Sequence, residues 1–223
     1  KELHIDMAQV EGIFISHEHS DHIAGLQQLL KRFDIPVYTK QGTWREIQNK
    51  LIVPKNQLIE LTKGSLTLGN LIVEPFAVSH DAADPIGINV FAGKDKATVV
   101  TDTGVISDSI LRRMDDTTLL VLEANYDPHM LRFGPYQPFL KQRVASDEGH
   151  LSNEMAAQAL LMMKRPDFMQ VILAHRSENN NNAVLVTQTI GKMLVDGGVR
   201  IGPEMKLQHG QPNEIVSMKS VKR

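Results

Sequence analysis

Six consecutive residues, His17-Glu18-His19-Ser20-Asp21-His22, follow directly on the apolar run Gly12-Ile13-Phe14-Ile15-Ser16 and narrow what this chain can fold into. The run reads as a buried strand, and behind the histidines Ile23, Leu26, Leu29, Leu30 and Phe33 recur at helical spacing. The cluster therefore sits at a strand-to-helix junction, where a loop carries side chains into a site on a rigid scaffold. Its ligand-type groups are too many for one strand face and too close together for one helix face. In a tight loop, alternate side chains diverge toward two neighbouring cations.

The remaining chain repeats this placement. Positions 36–39 read as a strand and 43–51 as a helix, and from 57 to 80 the pattern turns β-like. Within it, 66–68 and 71–73 flank Gly69-Asn70, a hairpin turn, and the second run continues through Phe76 and Val78 to His80. Positions 86–91 and 97–100 form a second hairpin around Gly93-Lys94-Asp95-Lys96, ending in Thr101-Asp102-Thr103-Gly104. A helix over 107–114 and a strand over 119–122 lead into Glu123-Ala124-Asn125. Ser152 or Asn153 caps a helix through Met155, Leu160 and Met163, and a strand over 171–174 ends at His175. A helix over 183–195 is closed by Gly197-Gly198. Met155, Met162 and Met163 are core candidates, and Trp44 is assigned to packing. Strand ends thus carry histidine or aspartate after Ser16, at His80, at Asp102 and at His175. Without an internal repeat or a linker, the economical reading is one α/β domain over 1–223.

Imidazoles and carboxylates suit zinc, and also manganese or iron. His17, His19, Asp21 and His22 are the first candidate ligands, and His80, Asp102 and His175 supply the rest. Asp102 is the candidate bridge, because a carboxylate offers two oxygens. Two cations about 3.5–4 Å apart can share a hydroxide made at neutral pH. The chain has no cysteine, which removes disulfides and thiolate sites. Lys plus Arg number 24 against 26 for Asp plus Glu, a balance that does not favour a protein that coats nucleic acid. The opening Lys1-Glu2-Leu3-His4 is no signal peptide and no apolar run approaches a membrane span, so a soluble cytoplasmic protein is expected.

The cluster resembles the HxHxDH signature of the metallo-β-lactamase superfamily, and His80, Asp102 and His175 fall in the order of its later ligand motifs. The resemblance implies a four-layer αββα sandwich with a dinuclear site at one edge. It assigns His17, His19 and His80 to one metal and Asp21, His22 and His175 to the second, with Asp102 between them. Similarity to the WalJ/YycJ subgroup of bacteria with the WalKR two-component system is carried by further segments. These are His80-Asp81-Ala82-Ala83-Asp84-Pro85, Thr101-Asp102-Thr103-Gly104, Leu122-Glu123-Ala124-Asn125-Tyr126-Asp127, Gly149-His150-Leu151-Ser152-Asn153 and His175-Arg176-Ser177-Glu178-Asn179-Asn180. That subgroup implies a 5′-to-3′ exonuclease acting on DNA. The family opens with further strands and an Asp-Ala-Gly turn before its signature, so an N-terminally incomplete sandwich is expected. It also has leucine where this chain has Arg176, a phosphate contact or a surface residue.

The expected chemistry is metal-assisted hydrolysis of a phosphodiester by a hydroxide between the metals. Asp21 orients the hydroxide, and His150 contacts the phosphate or protonates the leaving oxygen. Ser152 and Asn153, at a helix start, and Ser177, Asn180 and Asn181, in a polar loop, are candidate substrate contacts. Lys141 and Arg143 either touch a nucleic-acid backbone or form a solvated face. The alternatives are a thioester or lactam hydrolase on the same fold, or a non-catalytic metal-binding signalling protein.

Overall fold

The computed structural model describes residues 5–62, 64–211 and 214–217. A small parallel sheet is built from β1 (Ile13–Phe14), β2 (Val37–Thr39) and β3 (Leu58–Glu60), in that order. Its outer face is covered by α1 (Ser20–Ile23), α2 (Leu26–Leu30) and α3 (Gln41–Lys50). Every residue of β2 is buried, as a central parallel strand requires. Its alternation shows why: Val37 joins Ile23, Leu26, Leu30, Trp44 and Ile47 on the helix side, whereas Tyr38 points the other way. The single helix expected after the histidines is two short ones, interrupted at Ala24 and Gly25, where glycine weakens a helix.

The second sheet has the order β10-β9-β8-β7-β6-β5-β4. Its antiparallel part is β4 (Leu66–Leu68), β5 (Leu71–Ala77), β6 (Ile86–Ala92) and β7 (Asp95–Val100). Gly69, with φ 53°, makes the first of its turns. The parallel part adds β8 (Leu119–Glu123), β9 (Met169–Ala174) and β10 (Met205–His209) to β7. Tyr38 and Phe14 pack with Leu66, Leu68, Ile86 and Ile88 between the two sheets. On the far side, α4 (Asp108–Met114), α7 (Asn153–Met162) and α8 (Ala183–Asp196) cover Leu120, Leu122, Val171 and Leu173. The result is the αββα sandwich.

Between β8 and α7 lie α5 (Pro128–Phe133) and α6 (Pro138–Val144), short helices with Pro in the first turn. They and β10 go beyond the elements expected from the sequence. Trp44 is buried and its indole N–H donates to the Ile59 carbonyl at 3.2 Å. Met162 departs from its expected core place: it is 67 % exposed, because α7 turns Met155 and Met163 inward instead. No helix among the described residues is long and apolar enough to cross a membrane.

Candidate metal centre

The histidine loop is fixed by both sheets. The Ile15 N–H donates to the Tyr38 carbonyl at 3.0 Å, the Thr39 hydroxyl donates to the Ile15 carbonyl at 2.7 Å, and the Ile86 N–H donates to the Ser16 carbonyl at 3.1 Å. Glu18, between the first two histidines, accepts from the Ala83 N–H at 2.8 Å and so binds the loop to the 80–85 segment. On the large sheet, the carboxyl ends of β7, β8 and β9 lie side by side, which brings Asp102, Glu123 and His175 to one edge. Asp102 (φ 57°) and His175 (φ 52°) are held in the left-handed region. That conformation costs a non-glycine residue about 1–3 kcal/mol and persists only where the surroundings enforce it.

These turns bring together all seven candidate ligands. Donor atoms of His17, His19 and His80 lie within 4.8 Å of one another, as do those of His17, His22 and Asp102, and those of Asp21, His22 and His175. His80 Nε2 stands 3.3 Å from His19 Nδ1. Around Asp102, one oxygen is 3.3 Å from His175 Nε2 and 3.8 Å from His80 Nε2, and the other is 3.6 Å from His22 Nε2. Ligand atoms about 2.1 Å from a tetrahedral ion stand about 3.4 Å apart, so this spacing is that of neighbours sharing a cation. His17 Nε2 and Asp102 Oδ2 are buried and have no hydrogen-bond partner among the described residues. An unmet buried acceptor costs about 1–3 kcal/mol, which a cation would relieve. The residues fit divalent metal ions.

The outward-facing ring nitrogens are also engaged. His80 Nδ1 donates to the Gly149 carbonyl at 3.0 Å. A side chain on Gly149 would strike the Arg143 and Val144 carbonyls, so only glycine allows this approach. Ser16 Oγ lies 3.1 Å from His17 Nδ1 and 3.3 Å from His22 Nδ1. Glu123, fully buried, accepts from His175 Nδ1 at 2.7 Å, His150 Nδ1 at 2.8 Å, and the Thr103 and Leu151 N–H groups, each at 3.2 Å. Such partners fix the tautomer and aim of a ligating ring. Sequence reasoning gave Glu123 no role. Its one signal was a lone carboxylate closing an apolar strand, beside strands that end near Asp102 and His175.

Proton affinities follow these surroundings. Burial, then the neighbouring His22, lowers the His17 pKa from 6.5 to about 3. Burial also lowers that of His80. At His175 burial disfavours the cation, but the Glu123 hydrogen bond, with Asp102 and Asp21, outweighs it and raises the pKa to about 9. Burial works against ionised Asp102 and Glu123 too, yet the facing histidines hold both carboxyls below the usual range.

The other expected contacts divide. Asp21, its side chain 66 % exposed, stands at the rim, 3.5 Å from His22 Nε2. His150 lies between His80 and His175, with ring centroids 5.1 and 5.2 Å away, and lines an open cleft of about 900 Å³. Ser177 and Arg176 line it as well. Three expected substrate contacts need correction. Ser152 is buried and caps α7, accepting from the Met155 N–H at 3.2 Å. Asn153 is fully buried and exchanges amide hydrogen bonds with Asn181 at 3.1 and 2.8 Å. Asn180 is fully buried, its amide turned to Ser177 Oγ at 3.3 Å. Their side chains are turned to the protein interior, and Asn180 Oδ1 is buried with no partner among the described residues.

A fold of this kind, with candidate ligands gathered at one sheet edge, is that of the metal-dependent hydrolases the chain resembles. The family model for the β-lactamase superfamily domain matches residues 1–175, and the chain belongs to the metallo-β-lactamase superfamily. It is 34 % identical over 95 % of its length to a Bacillus anthracis protein named exodeoxyribonuclease YycJ, covering 81 % of that chain. It is 32 % identical over 92 % of its length to exodeoxyribonuclease WalJ of Streptococcus pneumoniae, covering 77 % of it. Among solved structures, the metallo-β-lactamase fold protein YhfI of Bacillus subtilis superposes with a TM-score of 0.66 at 16 % identity, over 92 % of this chain and 78 % of that one.

Proposed function

We propose that the protein is a metal-dependent phosphodiesterase that digests DNA from the 5′ end toward the 3′ end, using two divalent cations. The observation that carries this reading is the convergence of His17, His19 and His80 in one group and of Asp21, His22 and His175 in another, with Asp102 near both, beside an open cleft. The exodeoxyribonuclease names of the similar YycJ and WalJ support the substrate. The donor set suits Zn or Mn, and accommodates Fe. Such ions supply Lewis acidity toward water and toward a phosphoryl oxygen.

Asp21, exposed at the rim, orients the attacking water. His150 has Nδ1 committed to Glu123, so Nε2 is the atom that holds a proton for the leaving oxygen. Glu123 keeps that ring aimed, and Ser177 offers a hydroxyl to the phosphate in the cleft. The chain works as one domain over 1–223, in the cytoplasm. Purified protein with Mn or Zn should release the label of 5′-labelled DNA at once, shorten 3′-labelled DNA progressively, and hydrolyse bis-p-nitrophenyl phosphate. Robust thioester hydrolysis, with no DNA cleavage under either metal, overturns the reading.

A further inference from the structure

Residues 128–144 carry Arg132, Lys141 and Arg143 and no Asp or Glu, in a chain whose formal charge is −2. They form α5 and α6, and Tyr136, Leu140 and Arg143 from this segment make one wall of the cleft beside His150. The inward faces of the two helices are filled by Leu131 and Val144 against Tyr126. Two phenylalanines instead face water, Phe133 at 67 % exposure and Phe139 at 70 %. Single exposed apolar residues need no explanation, but two exposed rings on a segment that carries three cations and walls the cleft do.

Their placement leads inward. Phe139 stands four residues before Arg143, on the same side of α6. Arg143 pairs with Asp81, whose other oxygen lies 3.5 Å from His80 Nε2. Lys141 Nζ donates to the Arg132 carbonyl at 2.8 Å and ties α6 to α5, while the Arg132 guanidinium lies 5.3 Å from the Phe133 ring centroid. Further along the cleft, Arg176 Nη1 is buried with no hydrogen-bond partner among the described residues. Phe139 thus stands one helical turn from a guanidinium that is joined through Asp81 to His80.

A duplex keeps its bases stacked on one another, and only unstacked bases can lie against flat exposed rings. We infer that the α5–α6 wall is a platform for single-stranded polynucleotide, with bases stacking on Phe139 and Phe133 and phosphates meeting Arg132, Arg143 and Arg176. This deepens the exonuclease reading and rests on it for the substrate.

The test is fluorescence anisotropy of a labelled phosphorothioate oligothymidylate, which the metal-loaded protein binds without cutting. Phe139→Ala should weaken binding about tenfold and the double variant with Phe133→Ala about a hundredfold. Metal content by elemental analysis should stay unchanged, and Ile52→Ala, an exposed apolar residue outside this wall, should bind as the parent does. A double variant with parental affinity, in a protein that still cuts DNA, overturns the platform and leaves the exonuclease reading standing. Phenylalanine-dependent binding by a protein that cuts no DNA keeps the platform and overturns the exonuclease. Parental affinity with loss of self-association in sedimentation would assign the rings to a protein contact and overturn the platform.

Discussion

The two groups of candidate ligands that meet near Asp102 are built differently. His17, His19 and His80 are all imidazoles, two of them buried, held by a serine hydroxyl and a backbone carbonyl. Asp21, His22 and His175 include a carboxylate, lie nearer water, and are anchored through His175 to buried Glu123. His17 is pushed toward the neutral form and His175 toward the charged one. In the first group His17 and His80 are buried and pushed toward the neutral form. The second can hold a cation and still face a substrate, at the cost of competing with a proton.

Replacing what the groups share should have the largest effect. Asp102→Asn is expected to lower DNA hydrolysis by more than about a hundredfold, beyond what loss of an outer partner does, and to leave less than one metal per chain by elemental analysis. Two tightly held ions in that variant would show that the groups do not depend on Asp102. Glu123→Gln should separate the groups, weakening metal at the His175 side about 10–100-fold while the His17 side stays loaded, as read by calorimetric titration. Acidity should do the same more gently. A histidine whose pKa is about 9 is protonated below that value, so affinity at its group falls as pH drops from 8 to 6, about tenfold per unit for one displaced proton. His17, with a pKa of about 3, has no proton to displace in that range. Equal pH slopes for the two ions would erase the distinction. The smallest change is expected for Ser16→Ala, which loosens one ring in each group and should cost about threefold to tenfold in affinity at both.

The chain displays these groups unequally. His17 to His22 could be read because ligand residues are contiguous after an apolar strand. Asp102 and His175 could be read because each follows a run with strand periodicity. Glu123 could not, since its partners His150 and His175 are separated from it by loops and helices whose packing no spacing encodes. The amides of Asn153 and Asn181 look like free loop donors in sequence, and only folding reveals that they satisfy each other across 28 positions. The helices α5 and α6 are too short, and too broken by Pro128, Pro135 and Pro138, to show a 3.6-residue period.

Asp102 and His175 share one more property, the left-handed turn that each adopts as its strand ends. Backbone bends of that kind persist only where the surrounding structure enforces them. An arriving cation would meet a finished mould, so swapping one divalent ion for another requires no rearrangement of the main chain. On the proposed reading, such a mould would leave the choice among divalent ions to supply and donor affinity rather than to the architecture.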